Sequence, residues 1–131
     1  MVLGLDFGTK NIGVAISNPE RNHALAYKTF SRKIALESIT QIVTDKKIST
    51  IVVGYPKQEN EEGYIGKQAR LFKEELEKSL KIEVLLVDEF MSTQLSIHYL
   101  QNLGYSKKSI AEKKDEQSAK IILQTYLDQI Q

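Results

Sequence analysis

An apolar run, Val2-Leu3-Gly4-Leu5, delivers a single acidic residue, Asp6, to the end of a short strand. The turn Phe7-Gly8-Thr9 then leads at once into a second apolar strand, Ile12–Ser17. Two apolar strands joined so closely must pair as neighbours, which fixes a sheet at the start of the chain. A carboxylate is poorly suited to a strand interior and costly to bury unpaired. At a strand end, beside glycines that admit close backbone approach, it is well placed to hold a metal ion. The alternative is an aspartate that shapes the turn through its own backbone hydrogen bonds.

The remaining chain predicts an alternating order. Asn18-Pro19-Glu20-Arg21-Asn22 is a turn signal, and Ala24–Phe30 a third strand closing a meander. From Ile34 to Lys47 the apolar period becomes helical, with Ala35, Ile39, Ile42 and Val43 on one face and Ser31 as N-cap. Thr50–Gly54 reads as a strand buried on both faces of a parallel sheet. A helix after Gly63 carries Ala69, Phe72, Leu76 and Leu80, and Val84–Val87 is a further buried strand ending in Asp88-Glu89. Ser92 or Thr93 caps the next helix, which Gly104 ends. After a lysine-bearing loop, Asp115 is expected to open the last helix, with Ala119, Ile122, Leu123, Tyr126 and Leu127 on its apolar stripe. The pattern predicts an α/β fold: a mixed sheet of five strands, an antiparallel meander plus two parallel strands, with helices on both faces.

Composition sets the bounds. A chain of 131 residues predicts one domain over 1–131, too short for two lobes. Without cysteine, a disulfide framework and a thiolate zinc site are both excluded. Neither a signal peptide nor a membrane-spanning run is evident, so a cytoplasmic location without a membrane partner is expected. The formal net charge of +1 makes any nucleic-acid surface local rather than global.

The acids fall in an informative pattern. Asp6 ends the first strand, Asp88-Glu89 ends the last, and Asp115 stands at the predicted start of the final helix. Sites in open α/β sheets form at the carboxyl ends of parallel strands. If the first, fourth and fifth strands are parallel and central, these acids meet at one edge. Gathered carboxylates repel unless a hard cation such as Mg²⁺ or Mn²⁺ binds them. A pair of such ions can activate a water and steady the leaving oxygen of a phosphoryl displacement. Separately, Asp88 and Glu89 could be a solvated strand end, and Asp115 a residue favoured at a helix N-terminus.

Leu3–Ala15 resembles the opening of the YqgF (RuvX) family, whose members have an RNase H-like fold related to the RuvC Holliday-junction resolvases. Ile51–Pro56, Val87–Thr93 and Asp115–Leu127 agree with it in order and spacing. The resemblance implies an endonuclease maturing the 5′ end of precursor 16S ribosomal RNA, with a Holliday-junction DNA resolvase as the older reading of the family. It assigns Asp6, Glu89 and Asp115 as metal-binding and catalytic acids. Glu89 ranks above Asp88, because alternation sends neighbours to opposite faces.

Two departures stand out. Phe90 occupies the place of the family's usual Arg, removing a bidentate phosphate clamp, and Ser17-Asn18 replaces Ser-Asp. The segment after Pro56 is acidic, so contacts with the nucleic acid are expected from Lys10, Lys107, Lys108, Lys113 and Lys114. Lys67 and Arg70 read as solvated, and His23 and His98 lack the neighbours of a metal or base site. Tyr55, Tyr64, Tyr99 and Tyr105 suit either base stacking or packing. Two rivals remain: an actin-like ATPase, whose first phosphate loop Asp6-Phe7-Gly8-Thr9 also resembles, and an RNA- or ribosome-binding module that keeps the fold but barely cuts. The partner is structured RNA before branched DNA, and the state monomer or homodimer.

Overall fold

In a computed structural model, residues 1–55, 64–88 and 92–131 are described. Their elements run β1 (Val2–Phe7), β2 (Asn11–Ser17), β3 (Ala24–Ser31), α1 (Arg32–Lys46), β4 (Thr50–Tyr55), α2 (Tyr64–Leu80), β5 (Glu83–Asp88), α3 (Ser92–Asn102) and α4 (Lys107–Gln129). The strands form one mixed sheet in the order β3-β2-β1-β4-β5. β1–β2 and β2–β3 pair antiparallel, whereas β1–β4 and β4–β5 pair parallel. The predicted meander and parallel strands are therefore present, with one adjustment. β1 and β4 are interior, while β5 is an edge.

β1 explains its own position. All six of its residues are buried, as a strand covered on both faces requires. Leu3, Leu5 and Phe7 join Ile12, Val14, Ile51 and Val53 on one face, packed against Ala35 and Ile39 of α1 and Ala69, Phe72 and Leu76 of α2. The other face carries small residues. There Val2, Ala15 and Val52 meet Ala119, Ile122, Leu123 and Leu127 of α4. α3 lies against α4, with the Ser96 and Ser118 hydroxyls 3.1 Å apart in a fully buried contact.

The helix ends show where local signals held. α1 begins at Arg32 with Ser31 at the N-cap, but the Ser31 side chain makes no capping hydrogen bond. α3 ends two residues before Gly104, whose φ of 86° supplies the left-handed turn predicted there.

The last helix requires a correction. It starts at Lys107 rather than Asp115, capped by Ser106, whose hydroxyl accepts a hydrogen bond from the Ser109 amide at 3.2 Å. Lys107-Lys108-Ser109-Ile110-Ala111-Glu112-Lys113-Lys114 has no helix breaker and buries Ile110, so cap and propensity continue the helix through it. The four lysines are thus helical, and Asp115 lies well inside α4. It is no residue of a helix N-terminus.

Candidate active site

The site is assembled around Asp6. Gly4, two residues earlier on β1, faces α4: a methyl group there would stand 2.6 Å from the Leu123 Cβ. Alternation gives Asp6 the same face. Its partners across the two adjoining ladders are Gly13 on β2 and Gly54 on β4. Asp6 is only 8% exposed, a carboxylate set into the sheet between two residues without side chains.

Those glycines admit the helix. At Gly13 a methyl group would overlap the Asp115 carbonyl and stand 2.8 Å from the Glu116 amide nitrogen. At Gly54 it would run into the Ile122 side chain. The backbone of Asp115 therefore rests on the strand residue directly opposite Asp6, and residues so paired lie about 5 Å apart. The backbone of one acid is brought beside the strand partner of another because that partner has no Cβ.

Glu116 adds a third carboxyl that sequence reasoning did not single out. Its pKa is raised from the ordinary 4.5, chiefly by burial; Lys113 pulls it down and the Asp115 carboxylate pushes it up. The same row of the sheet also contains Thr29, the partner of Gly13 on β3. Thr29 Oγ1 is buried with no hydrogen-bond partner among the described residues.

β5 meets this row at Val87, the partner of Gly54, while Asp88 pairs with Tyr55. Val87 packs against the cluster on the α4 side. Glu89 and Phe90 lie outside the described residues. Among the described residues, no three His, Cys, Asp or Glu side chains gather closely enough to hold a metal ion. What is present still suits a hard divalent cation. The donors are carboxylates, one of them buried in the sheet, and a buried hydroxyl two strands along the same row has no hydrogen-bond partner among the described residues.

The turn from β1 to β2 is buttressed from the opposite face. Arg32 lies over the Phe7 ring, 4.7 Å from its centroid, and its guanidinium donates to the Thr9 carbonyl at 3.4 Å and to Gln68 Oε1 at 3.3 Å. Its amide donates to the Lys10 carbonyl at 2.9 Å. Lys10 itself is exposed on this turn. Only tertiary packing brings Arg32 here, and no local pattern announced it.

A family model described as RuvX: Holliday junction resolvase matches residues 1–129. The chain belongs to the RuvX family. Among its relatives is a protein of Rickettsia felis named "Putative pre-16S rRNA nuclease", 32% identical over 97% of this chain and 85% of that one. Proteins of the same name from Maridesulfovibrio salexigens and a Geobacillus species are 34% and 36% identical. They cover 96% and 97% of this chain, and 96% of each relative. Among solved structures, Thermus thermophilus RuvC in complex with a Holliday junction substrate superposes with a TM-score of 0.60 at 10% identity, over 98% of this chain and 94% of that one. The fowlpox virus resolvase in complex with Holliday junction DNA gives 0.59 at 10% identity, over 98% and 97%. These two share the RNase H-like fold. Membership also decides against the ATPase reading of Asp6-Phe7-Gly8-Thr9.

Within a RuvX chain, the departure at Asn18 has a local explanation. The Asn18 side-chain oxygen accepts hydrogen bonds from the Asn22 and His23 amides, both at 3.0 Å, and so closes the β2–β3 turn. Its side-chain amide also donates to Asn22 Oδ1 at 2.6 Å, a bond that an aspartate could not make. The lysines divide around α4. Lys108 is seven residues before Asp115 and shares its face, whereas Lys113 lies on another, its ammonium 5.7 Å from the centroid of the Tyr105 ring. Lys107 and Lys108 are exposed, and Lys113 and Lys114 partly buried.

Proposed function

We propose that this chain is a metal-dependent endonuclease that processes the 5′ end of precursor 16S ribosomal RNA in the cytoplasm. Asp6, Glu89 and Asp115 hold Mg²⁺ or Mn²⁺, and residues 1–131 act as one domain, as monomer or homodimer. The observation that carries the reading is the seating of the Asp115 backbone on Gly13, the strand partner of buried Asp6. Relatives named as pre-16S rRNA nucleases over nearly the whole chain supply the substrate. Val87 stands in the row of Asp6, and alternation by two favours Glu89 over Asp88 as the remaining ligand.

When bound, the cation supplies an activated water and neutralises charge on the scissile phosphate. The chain's own residues supply position. Gly13 and Gly54 bring α4 down to the acid row, and Arg32 steadies the turn that bears Lys10. Lys108, on the Asp115 face of α4, and Lys10 draw the phosphate backbone to the acids. Lys107, Lys113 and Lys114 extend that field along the helix.

The test is side-by-side cleavage of a precursor rRNA fragment and a four-way DNA junction with Mg²⁺, using Asp6→Asn as control. Cleavage of the RNA that depends on Mg²⁺ and Asp6 is expected. Preferential cleavage of the junction would move the substrate to branched DNA, the activity in the family's description. Cleavage of neither would leave a binding module and overturn the enzymatic reading.

A further inference from the structure

Three surface clefts differ in charge. One between β3 and α1 sets Glu37 and Asp45 against Lys28, and one along α2 sets Glu74, Glu75 and Glu77 against Lys78. Both would repel a polyanion. The third, a groove of about 420 Å³ between α3 and α4, has no carboxylate in its lining. Leu95, His98 and Tyr99 form one wall, and Gln117, Lys120 and Ile121 the other. Leu95 and Tyr99 are about half exposed, an apolar and aromatic surface left open to solvent.

One ring–cation pair, Tyr99 and Lys120, lies in the groove, and a second, Tyr105 and Lys113, stands outside its lining. The Lys120 ammonium lies 5.8 Å from the centroid of the Tyr99 ring, and that of Lys113 lies 5.7 Å from the centroid of the Tyr105 ring. The two lysines are seven residues apart on α4, hence on one face and about 10 Å apart along the helix. Both tyrosines are more than 40% exposed, so these rings are not committed to a core. Sequence-tolerant binding of single strands uses this combination: a ring on which a base stacks, with a cation within reach of the adjoining phosphate. Both lysines lie on the side of α4 turned away from Asp115, so the pairs form a surface separate from the acid row.

We propose that the α3–α4 groove, with the pairs Tyr99–Lys120 and Tyr105–Lys113, is a binding track for an unpaired stretch of the polynucleotide whose phosphate backbone is cut at the Asp6–Asp115 site. The proposal rests on the nuclease reading above and adds a second contact for the same polynucleotide, on the side of α4 away from that site. Bases stack on Tyr99 and Tyr105, and Lys120 and Lys113 take phosphates. A blunt duplex, whose bases are already stacked, has little to offer these rings.

Fluorescence anisotropy with a short labelled oligouridine and a blunt RNA duplex, in EDTA so that nothing is cut, tests the proposal. Tyr99→Ala is expected to weaken oligouridine binding about tenfold, the scale of one lost stacked base. Tyr99→Phe, which keeps the ring, retains binding, and neither change alters binding of the duplex. Lys120→Gln lowers the slope of log affinity against log salt by about 1. Thermal melts of each variant check the fold, and the Lys120 result stands independently should Tyr99→Ala melt early. Unchanged oligouridine binding in both Tyr99→Ala and Lys120→Gln would overturn the proposal. So would a change in sedimentation in place of a change in affinity, which would mark the groove as an interface between copies. Should Asp6→Asn cut RNA as well as wild type while Tyr99→Ala still loses oligouridine, the catalytic reading fails and the groove stands.

Discussion

Gly13→Ala tests the construction of the site most directly. The added methyl would overlap the Asp115 carbonyl and stand 2.8 Å from the Glu116 nitrogen, where ordinary contact begins at 3.4 Å. These are helix backbone atoms, so no side-chain rotation relieves the clash. α4 must lift by at least 0.6 Å beside Asp115. Overpacking of this kind costs about 1–3 kcal/mol, of which the lower backbone entropy of alanine returns roughly 0.5–1. At about 4 °C per kcal/mol the remaining ~0.5–2 kcal/mol should lower the melting temperature by roughly 2–8 °C. Cleavage should fall further than stability explains, because misplacing a catalytic group by about 1 Å costs roughly a hundredfold. Gly4→Ala is the control. Its methyl meets Leu123 Cβ at 2.6 Å and the Ala119 carbonyl at 3.2 Å, one to two turns along α4 from Asp115. It should destabilise comparably and spare more of the cleavage. Paired melting curves and single-turnover cleavage decide between the two effects. Wild-type melting and cleavage in Gly13→Ala would refute the close approach of α4, and equal losses of cleavage in both variants would refute its bearing on Asp115.

Asp6→Asn should lower Mg²⁺-dependent cleavage by more than about a hundredfold, the upper end of what losing even an outer-shell metal partner costs. A melting curve checks that the variant still folds, and undiminished cleavage would remove Asp6 from the site. Glu116→Gln should raise the melting temperature in EDTA at neutral pH. A carboxyl whose pKa is raised on folding binds its proton more readily in the native state, so its ionisation costs stability as pH rises above 4.5. The advantage of Gln should therefore vanish below that pH, and an advantage that persists there would contradict the assignment. Gln124→Ala removes the acceptor of the Ala24 amide at 2.9 Å and the donor to the Asn22 carbonyl at 2.9 Å. Leaving the nearly buried Ala24 amide unpaired should cost about 1–3 kcal/mol in a denaturant titration, and a loss well below that would mean that the β2–β3 turn does not depend on α4.

How much of this was legible in the sequence varies with the range of the forces involved. β1, β2 and β4 declared themselves because residues buried on both faces read as continuous apolar runs. Gly104 announced a helix end because a φ of 86° needs glycine. The start of α4 was hidden because Lys107–Lys114 buries only Ile110, which leaves no apolar period to detect. Its helicity comes from the Ser106 cap and from continuity with the buried turns that follow. The acids could be named, but the close approach of the Asp115 backbone to the row of Asp6 could not. Gly13 reads locally as an ordinary small residue of a strand, and only the packed helix reveals it as the seat of Asp115. The Tyr99–Lys120 pair was equally opaque, since only the packing of α3 on α4 brings its residues together.

The two faces of the sheet divide the labour. Leu3, Leu5, Phe7, Ile12, Val14, Ile51 and Val53 all point towards α1 and α2, and large side chains on that face bury the apolar area that drives folding. Opposite them, towards α4, stand Gly4, Asp6, Gly13, Ala15 and Gly54. Glycine in a strand forfeits packing and adds entropy to the unfolded chain, so this face is poor as a source of stability. It gains proximity instead. A helix seated on glycines approaches the sheet more closely than one seated on leucines, and the residue given that approach at Gly13 carries a carboxylate. The cost of burying the Glu116 carboxyl falls on the same face, where it is borne by the core on the other side. Stability and site construction are thus set by alternate residues of the same strands, and for that reason the Asp6 row can be tightly approached and polar without unfolding the sheet that holds it.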